Sequence, residues 1–211
     1  MTGLNTRRVI FLGLSDPYFT AEDGYQRARE IWTLNDWYQH IPDVPHPDRV
    51  FNIHADITAH SSDPTRFRGD VINEYNQSGA EIVTTRFFPD LHNCRPFDLS
   101  RVLDVTRDPF FASTMSVMFV QAWLEKWEEI ELVGLALSTG SEYDHQVPSM
   151  LGAIKESERR GIKVIAPRRA EWEARGASIV DWHNTGCSFT PYFAAECSAP
   201  VEPFQTMRKA K

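Results

Sequence analysis

The strongest constraint on the fold is an alternation that repeats along most of the chain. Short, nearly continuous apolar runs at 8–14, 30–35, 49–54, 81–85, 129–137 and 162–166 are separated by stretches with a helical period. A strand covered on both faces reads as such a run, because neither face can be polar. The intervening stretches carry their own punctuation. Thr20-Ala-Glu-Asp23 has the capping-box pattern and opens a helix over 21–30. Asp63-Pro64 marks the start of another, which runs to Gln77 and stops at Gly79. Residues 111–126 place apolar side chains at 111, 115, 118, 119, 122 and 123, the spacing of a buried helical face. A fourth helix, over 147–160, ends at Gly161.

Strands joined by helices of this length pair in parallel through right-handed crossovers, with helices on both faces. The expected fold class is therefore α/β: a Rossmann-like, three-layer αβα sandwich with a mostly parallel sheet, occupying residues 1–175. An irregular C-terminal tail follows at 176–211. Its Trp182, Phe189, Tyr192 and Phe193 suit packing on the domain or on a partner subunit. Residues 86–109 contain three prolines and no sustained period, and read as a long surface excursion.

Composition narrows the function classes. At 211 residues the chain fits one core. A formal charge of −7 argues against binding a nucleic-acid backbone over a broad face, although it leaves room for a local anion pocket. Cys94, Cys187 and Cys197 form no C-x-x-C pair, which suits a reducing compartment. The apolar run at 9–14 is too short for a signal peptide, and no run approaches the length of a membrane span. These features lead us to expect a cytoplasmic protein without a membrane partner.

Ligands of parallel α/β sheets lie outside the carboxyl ends of the strands, which selects 13–20, 34–40, 54–63, 85–96 and 138–148. After the first strand, the phosphate-binding pattern G-x-G-x-x-G is reduced to Gly13-Leu-Ser-Asp-Pro17. Gly13 and Ser15 either face a nucleotide or form a turn and helix cap. Asn35 and Asp36 end the second strand, where an amide or carboxylate reaches a ribose or base; Asp36 equally suits a cap on the helix of Trp37 and Tyr38. His54-Ala-Asp56, with His60 nearby, suits acid–base chemistry or a metal completed by His92 or His145; no spacing forces the third ligand, and a hydrogen-bonded structural histidine is the simpler alternative. Ser113 and Thr114 open the long helix and offer hydroxyls and free N–H groups to an anion, or ordinary capping. Ser138-Thr-Gly-Ser-Glu-Tyr-Asp-His-Gln-Val-Pro148 is the densest polar cluster, and Ser138, Glu142, Tyr143, His145 and Gln146 are expected to bind ligand there.

Several of these segments also resemble a family of small bacteriophage and prophage Rossmann-like proteins of uncertain function. They are Val9–Leu14, Glu30-Ile-Trp-Thr-Leu-Asn-Asp36, Val50-Phe-Asn-Ile-His54, Phe111-Ala-Ser-Thr-Met-Ser, Glu131-Leu-Val-Gly-Leu, Glu142-Tyr143 with Gln146-Val-Pro148, and Arg160-Gly-Ile-Lys-Val164. More distantly, their order is similar to the nucleotide-sugar domain of bacterial sialyltransferases. That similarity implies a nucleotide pocket lined by Asn35, Ser113 and Thr114. The chain departs from the sialyltransferase pattern in its first turn and near Leu135-Ala136, where an acidic residue is expected. The resemblance implies a nucleotide or nucleotide-sugar ligand, with no other cofactor and no metal, and a host-cytoplasmic location if the chain is phage-encoded. An enzyme would be glycosyltransferase-like, using His54 or His145 as general base. The alternative is a non-catalytic protein that sequesters a nucleotide or joins an assembly, including a homo-oligomer.

Overall fold

The computed structural model describes residues 6–15, 21–41, 44, 46–54, 57, 68–98, 100–101, 114–137 and 146–174. Seven strands form one sheet: β1 (Arg8–Leu12), β2 (Glu30–Leu34), β3 (Arg49–Asn52), β4 (Glu81–Thr84), β5 (Cys94–Pro96), β6 (Glu129–Val133) and β7 (Lys163–Ile165). Their order is β5-β4-β3-β2-β1-β6-β7, and every neighbouring pair is parallel. The helices are α1 (Ala21–Arg27), α2 (Trp37–His40), α3 (Arg68–Ser78), α4 (Thr114–Leu124), α5 (Gln146–Arg159) and α6 (Arg169–Ala174). This is the expected α/β sandwich. No described helix is long and apolar enough to cross a membrane.

The strands alternate their side chains between two cores, which is why they read as unbroken apolar runs. Val9, Phe11, Trp32, Phe51 and Val83 join Met115, Met118, Phe119, Leu151 and Ile154 of α4 and α5 on one face. Ile10, Leu12, Ile31, Val50 and Ile82 join Trp37, Val71, Ile72 and Tyr75 of α2 and α3 on the other. The first core is rich in aromatic rings: Trp32 stacks on Phe11 at 5.4 Å and meets Phe51 at 5.3 Å and the edge of Trp127 at 5.7 Å. Helix α4 is buried from Met115 through Ala122, all the way round, rather than presenting the single buried face expected from its spacing. It packs on β2 and β3 and against α5 at once, so no side of this stretch is left for solvent.

Two expectations change. Residues 86–98 are largely exposed, as expected, but are not a mere excursion. They bring in edge strand β5, and Phe88, Leu91 and Phe97 are buried. Residues 85–93 join two parallel strands without a helix, shorter than the usual crossover of a dozen or more residues. The sixth run ends early: β6 stops at Val133, and Gly134 (φ 63°) and Leu137 (φ 45°) turn the chain away from the sheet.

At the amino ends of the strands, charges alternate across the sheet. Arg49 on β3 lies 3.2 Å from Glu30 on β2 and 3.2 Å from Glu81 on β4, and Glu81 lies 2.6 Å from Arg95 on β5. Glu125, just beyond α4, closes the ladder at 2.5 Å from Arg49, whose guanidinium sits 4.6 Å over the Trp32 ring. Burial works against ionisation of Glu125, but the hydrogen bond and charge of Arg49 outweigh it and hold the carboxyl below its ordinary pKa.

Candidate functional site at the carboxyl edge

Chain order reverses direction between β1 and β6: β2 to β5 step outward from one side of β1, and β6 and β7 from the other. Open α/β sheets leave a crevice at such a point, because adjacent loops diverge to opposite faces. Here the two loops first touch. The Gly13 amide donates to Val133 O at 2.8 Å, the Ser15 amide donates to Gly134 O at 3.0 Å, and the Ser15 hydroxyl donates to the same carbonyl. A Cβ on Gly13 would lie 2.3 Å from Gly134 O and 2.5 Å from Leu135 Cδ2, closer than real Cβ contacts come. Gly13 therefore fastens one strand end to the next, and these two amides already have acceptors. The structure accounts for the glycine by close approach of backbone to backbone.

Six described residues have positive φ, and they divide by place. Gly79, Lys126 and Gly161 follow the carboxyl ends of α3, α4 and α5, where left-handed residues commonly terminate helices. Asp36, Gly134 and Leu137 instead follow strands β2 and β6. Asparagine and aspartate tolerate this region, whereas leucine is strained in it. Strain of this kind costs about 1–3 kcal/mol and collects at binding sites.

Asn35 and Asp36 stand at the end of β2. The Asn35 amide extends the ladder to Phe51 O at 3.1 Å. Asp36, only 6% exposed, occupies the N-cap position of α2, yet its side chain makes no capping hydrogen bond. Instead its carboxylate accepts the Tyr38 hydroxyl at 3.2 Å. Next to it, at the end of β3, Asn52 is fully buried. Its amide nitrogen donates to Ile57 O and to the Tyr75 hydroxyl, both at 2.9 Å, while its amide oxygen accepts the His54 N–H at 3.2 Å. One side chain thus ties both His54 and Ile57 to the end of β3. His54 is half-buried above it. Burial pushes the Tyr75 phenol well above its ordinary pKa, so the ring serves as a neutral partner.

On β4, the Thr84 hydroxyl donates to Arg86 O at 2.7 Å and lies 3.3 Å from the Cys94 thiol. The Thr85 hydroxyl is buried and has no hydrogen-bond partner among the described residues. Leaving such a group unpaired costs about 1–3 kcal/mol. Thr114 begins α4, whose Ser116 shares a 2.9 Å hydrogen bond with Ser149 of α5. Gln146 begins α5.

Of the residues expected from sequence, Gly13, Ser15, Asn35, Asp36, His54, Thr114 and Gln146 are described. All lie at carboxyl strand ends or at the start of the helices over them. Ser113, Ser138, Glu142, Tyr143 and His145 lie outside the described residues, as do Asp56 and His60 of the metal alternative. Among the described residues no group of three His, Cys, Asp or Glu could hold a metal ion. Asn52, Tyr38, Tyr75 and Thr85 were not anticipated. The available signal was Asn52 itself, an amide in a strand otherwise apolar on both faces, since a buried amide requires partners. Compared with family models, curated proteins and solved structures, the chain matches none.

Proposed function

We propose that the chain binds a nucleotide or nucleotide-sugar at the carboxyl edge of its sheet, centred on the crevice between β1 and β6. The observation that carries this reading is the strand-order reversal at β1, with Gly134 and Leu137 bent into left-handed conformations on one wall. In the proposed arrangement Asn35 and Asp36 read the ribose or base, and the starts of α4 (with Ser113 and Thr114) and α5 (with Gln146) supply donors to phosphate. Ser138, Glu142 and Tyr143, which lie outside the described residues, are assigned as further ligand contacts. Because the Gly13 and Ser15 amides are engaged by β6, phosphate recognition falls to the helix starts rather than to the first turn.

A glycosyltransferase-like enzyme would use His54 or His145 as general base for an acceptor hydroxyl, with helix-end donors stabilising the leaving phosphate. A nucleotide panel in thermal-shift format tests the binding reading. Ligand at a hundredfold excess over Kd is expected to add about 2.7 kcal/mol, or roughly 5–10 °C for a chain of this size. No shift with any nucleotide or nucleotide-sugar would sink it. Turnover that is lost in His54→Ala or His145→Ala supports the enzyme. Binding without turnover leaves the sequestering or assembly role.

A further inference from the structure

Two adjacent threonines at the end of β4 differ in their surroundings. The Thr84 hydroxyl donates to Arg86 O at 2.7 Å. Thr85 is 4% exposed, and its hydroxyl has no hydrogen-bond partner among the described residues. Asn52 and Pro96 both pair with Thr84, so the residues that follow them, Ile53 and Phe97, stand in one row with Thr85 across β3, β4 and β5. Ile53 and Phe97 belong to the core beneath α4 and α5, as does Val83, two residues before Thr85. Strand alternation therefore turns Thr85 to the same face. Neither flanking side chain can donate or accept a hydrogen bond, which leaves the hydroxyl to whatever lies above the row.

Above it lies the start of α4. On this face Arg49 reaches Glu125 at 2.5 Å and Arg95 reaches Gln121 at 3.5 Å, so the far end of α4 sits over the amino ends of β3 and β5. From Arg49 to Ile53 the strand rises about 13 Å. From Glu125 back to Thr114 the helix spans about 16 Å. The first turn of α4 is therefore level with the row of Thr85. The opening amides of a helix have no acceptor within it and carry its positive end. We propose that Thr85 and this first turn together bind the phosphate of a phosphate ester, an inference that rests on the nucleotide reading of the carboxyl edge. An anion supplies the acceptor that the Thr85 hydroxyl lacks, in the place the helix start favours. A cation meets the wrong end of the helix, and an apolar group leaves the hydroxyl unpaired. Of the two helix starts, α4 then takes the phosphate, two to three strands or roughly 10–14 Å from β1. The nucleoside points along the edge toward the β1–β6 crevice.

The test is calorimetric titration of the full chain, and of Thr85→Val and Thr85→Ser, with inorganic phosphate, the four ribonucleoside 5′-monophosphates and their nucleosides. Valine keeps the shape and removes the hydroxyl, so Thr85→Val should melt no lower than the natural chain. It should bind the monophosphate about tenfold more weakly, the loss expected for one hydrogen bond to a charged group. Nucleosides should bind it as they bind the natural chain. Thr85→Ser keeps the hydroxyl and should stay within about threefold of the natural affinity. Equal monophosphate binding by Thr85→Val and the natural chain would overturn the assignment and leave the nucleotide reading standing. A lower melting temperature in Thr85→Val would also overturn it, by showing that the hydroxyl is already satisfied in the free protein. If no nucleotide binds, the nucleotide reading falls, and inorganic phosphate decides this inference alone: binding weakened by Thr85→Val keeps the anion site, and no binding removes it.

Discussion

At the amino edge of the sheet Glu30, Arg49, Glu81 and Arg95 alternate in sign across four strands, and each charge has a partner within 3.2 Å. At the carboxyl edge of the same strands stand Asp36, Asn52, Thr84 and Thr85, with left-handed backbone at Asp36 and a hydroxyl on Thr85 that no described residue satisfies. One edge is built from paired charges, and the other from one carboxylate beside an amide and two hydroxyls, one of which no described residue satisfies. Selection for stability alone would make the two alike. The difference is the contrast on which the proposed ligand edge rests.

The comparison can be broken first at its strongest point. Arg49→Ala leaves Glu30 and Glu125 without their nearest cation, while Glu81 keeps Arg95, and should cost about 2–3 kcal/mol in denaturant unfolding, since removing the central partner of a half-buried ion network leaves the others under-compensated. A loss below about 1 kcal/mol would mean the ladder is surface decoration. Gly13→Ala forces a methyl into Gly134 O and Leu135. It should cost about 2–3 kcal/mol while leaving the amino edge intact, so its pH dependence of unfolding should parallel that of the natural chain. Asn52→Ala removes the ties to His54 and Ile57 and orphans the Tyr75 hydroxyl, for about 2 kcal/mol. Faster amide exchange at His54 and Ile57 would accompany that loss, and unchanged exchange would refute those ties.

Two smaller effects sharpen the contrast. The folded-state pKa of Glu125 is depressed, so its contribution is present above the unfolded carboxyl value near 4.5 and is lost as pH falls through the lower folded value. Melting temperature should therefore drop below about pH 4.5, and less steeply in Arg49→Met, where the depressing partner is gone. Asp36→Gly suits the left-handed backbone but removes the acceptor of the Tyr38 hydroxyl, so the two effects should offset to within about 1 kcal/mol. If the residue serves a ligand, nucleotide-induced stabilisation falls in the same variant. An unchanged ligand response would detach Asp36 from the site.

Much of this architecture was legible in the sequence because a strand sandwiched between helices has no polar face to hide it. Most strands that read clearly are buried on both faces; β7, half-buried at the other edge, reads clearly because its run from Ile162 to Ala166 is still largely apolar. β5 escaped because Cys94-Arg-Pro96 is short, carries a proline and lies at an edge, where half the usual apolar signal is missing. α6 escaped because six residues cannot establish a period, although Trp172 anchors it at 1% exposure. For the candidate residues, the sequence disclosed their place at strand ends and not their contacts. Gly13 stood out as a sparse phosphate turn, but its partner Gly134 is distant in sequence, and no local pattern discloses a contact between them. Asn52 was visible as an amide on a buried strand, yet Tyr75 could be matched to it only once α3 was laid on the sheet.

The fastening of β1 to β6 also has a consequence in time. Ser15 and the carbonyl it grips on Gly134 are 119 positions apart. At a synthesis rate of about 5–20 residues per second, the first strand waits roughly 6–24 seconds for its partner β6. During that interval β1 can pair with β2 alone. The β1–β6 junction is thus among the last parts of the sheet to form, and a nascent chain interrupted before residue 129 would hold β1 to β5 without it.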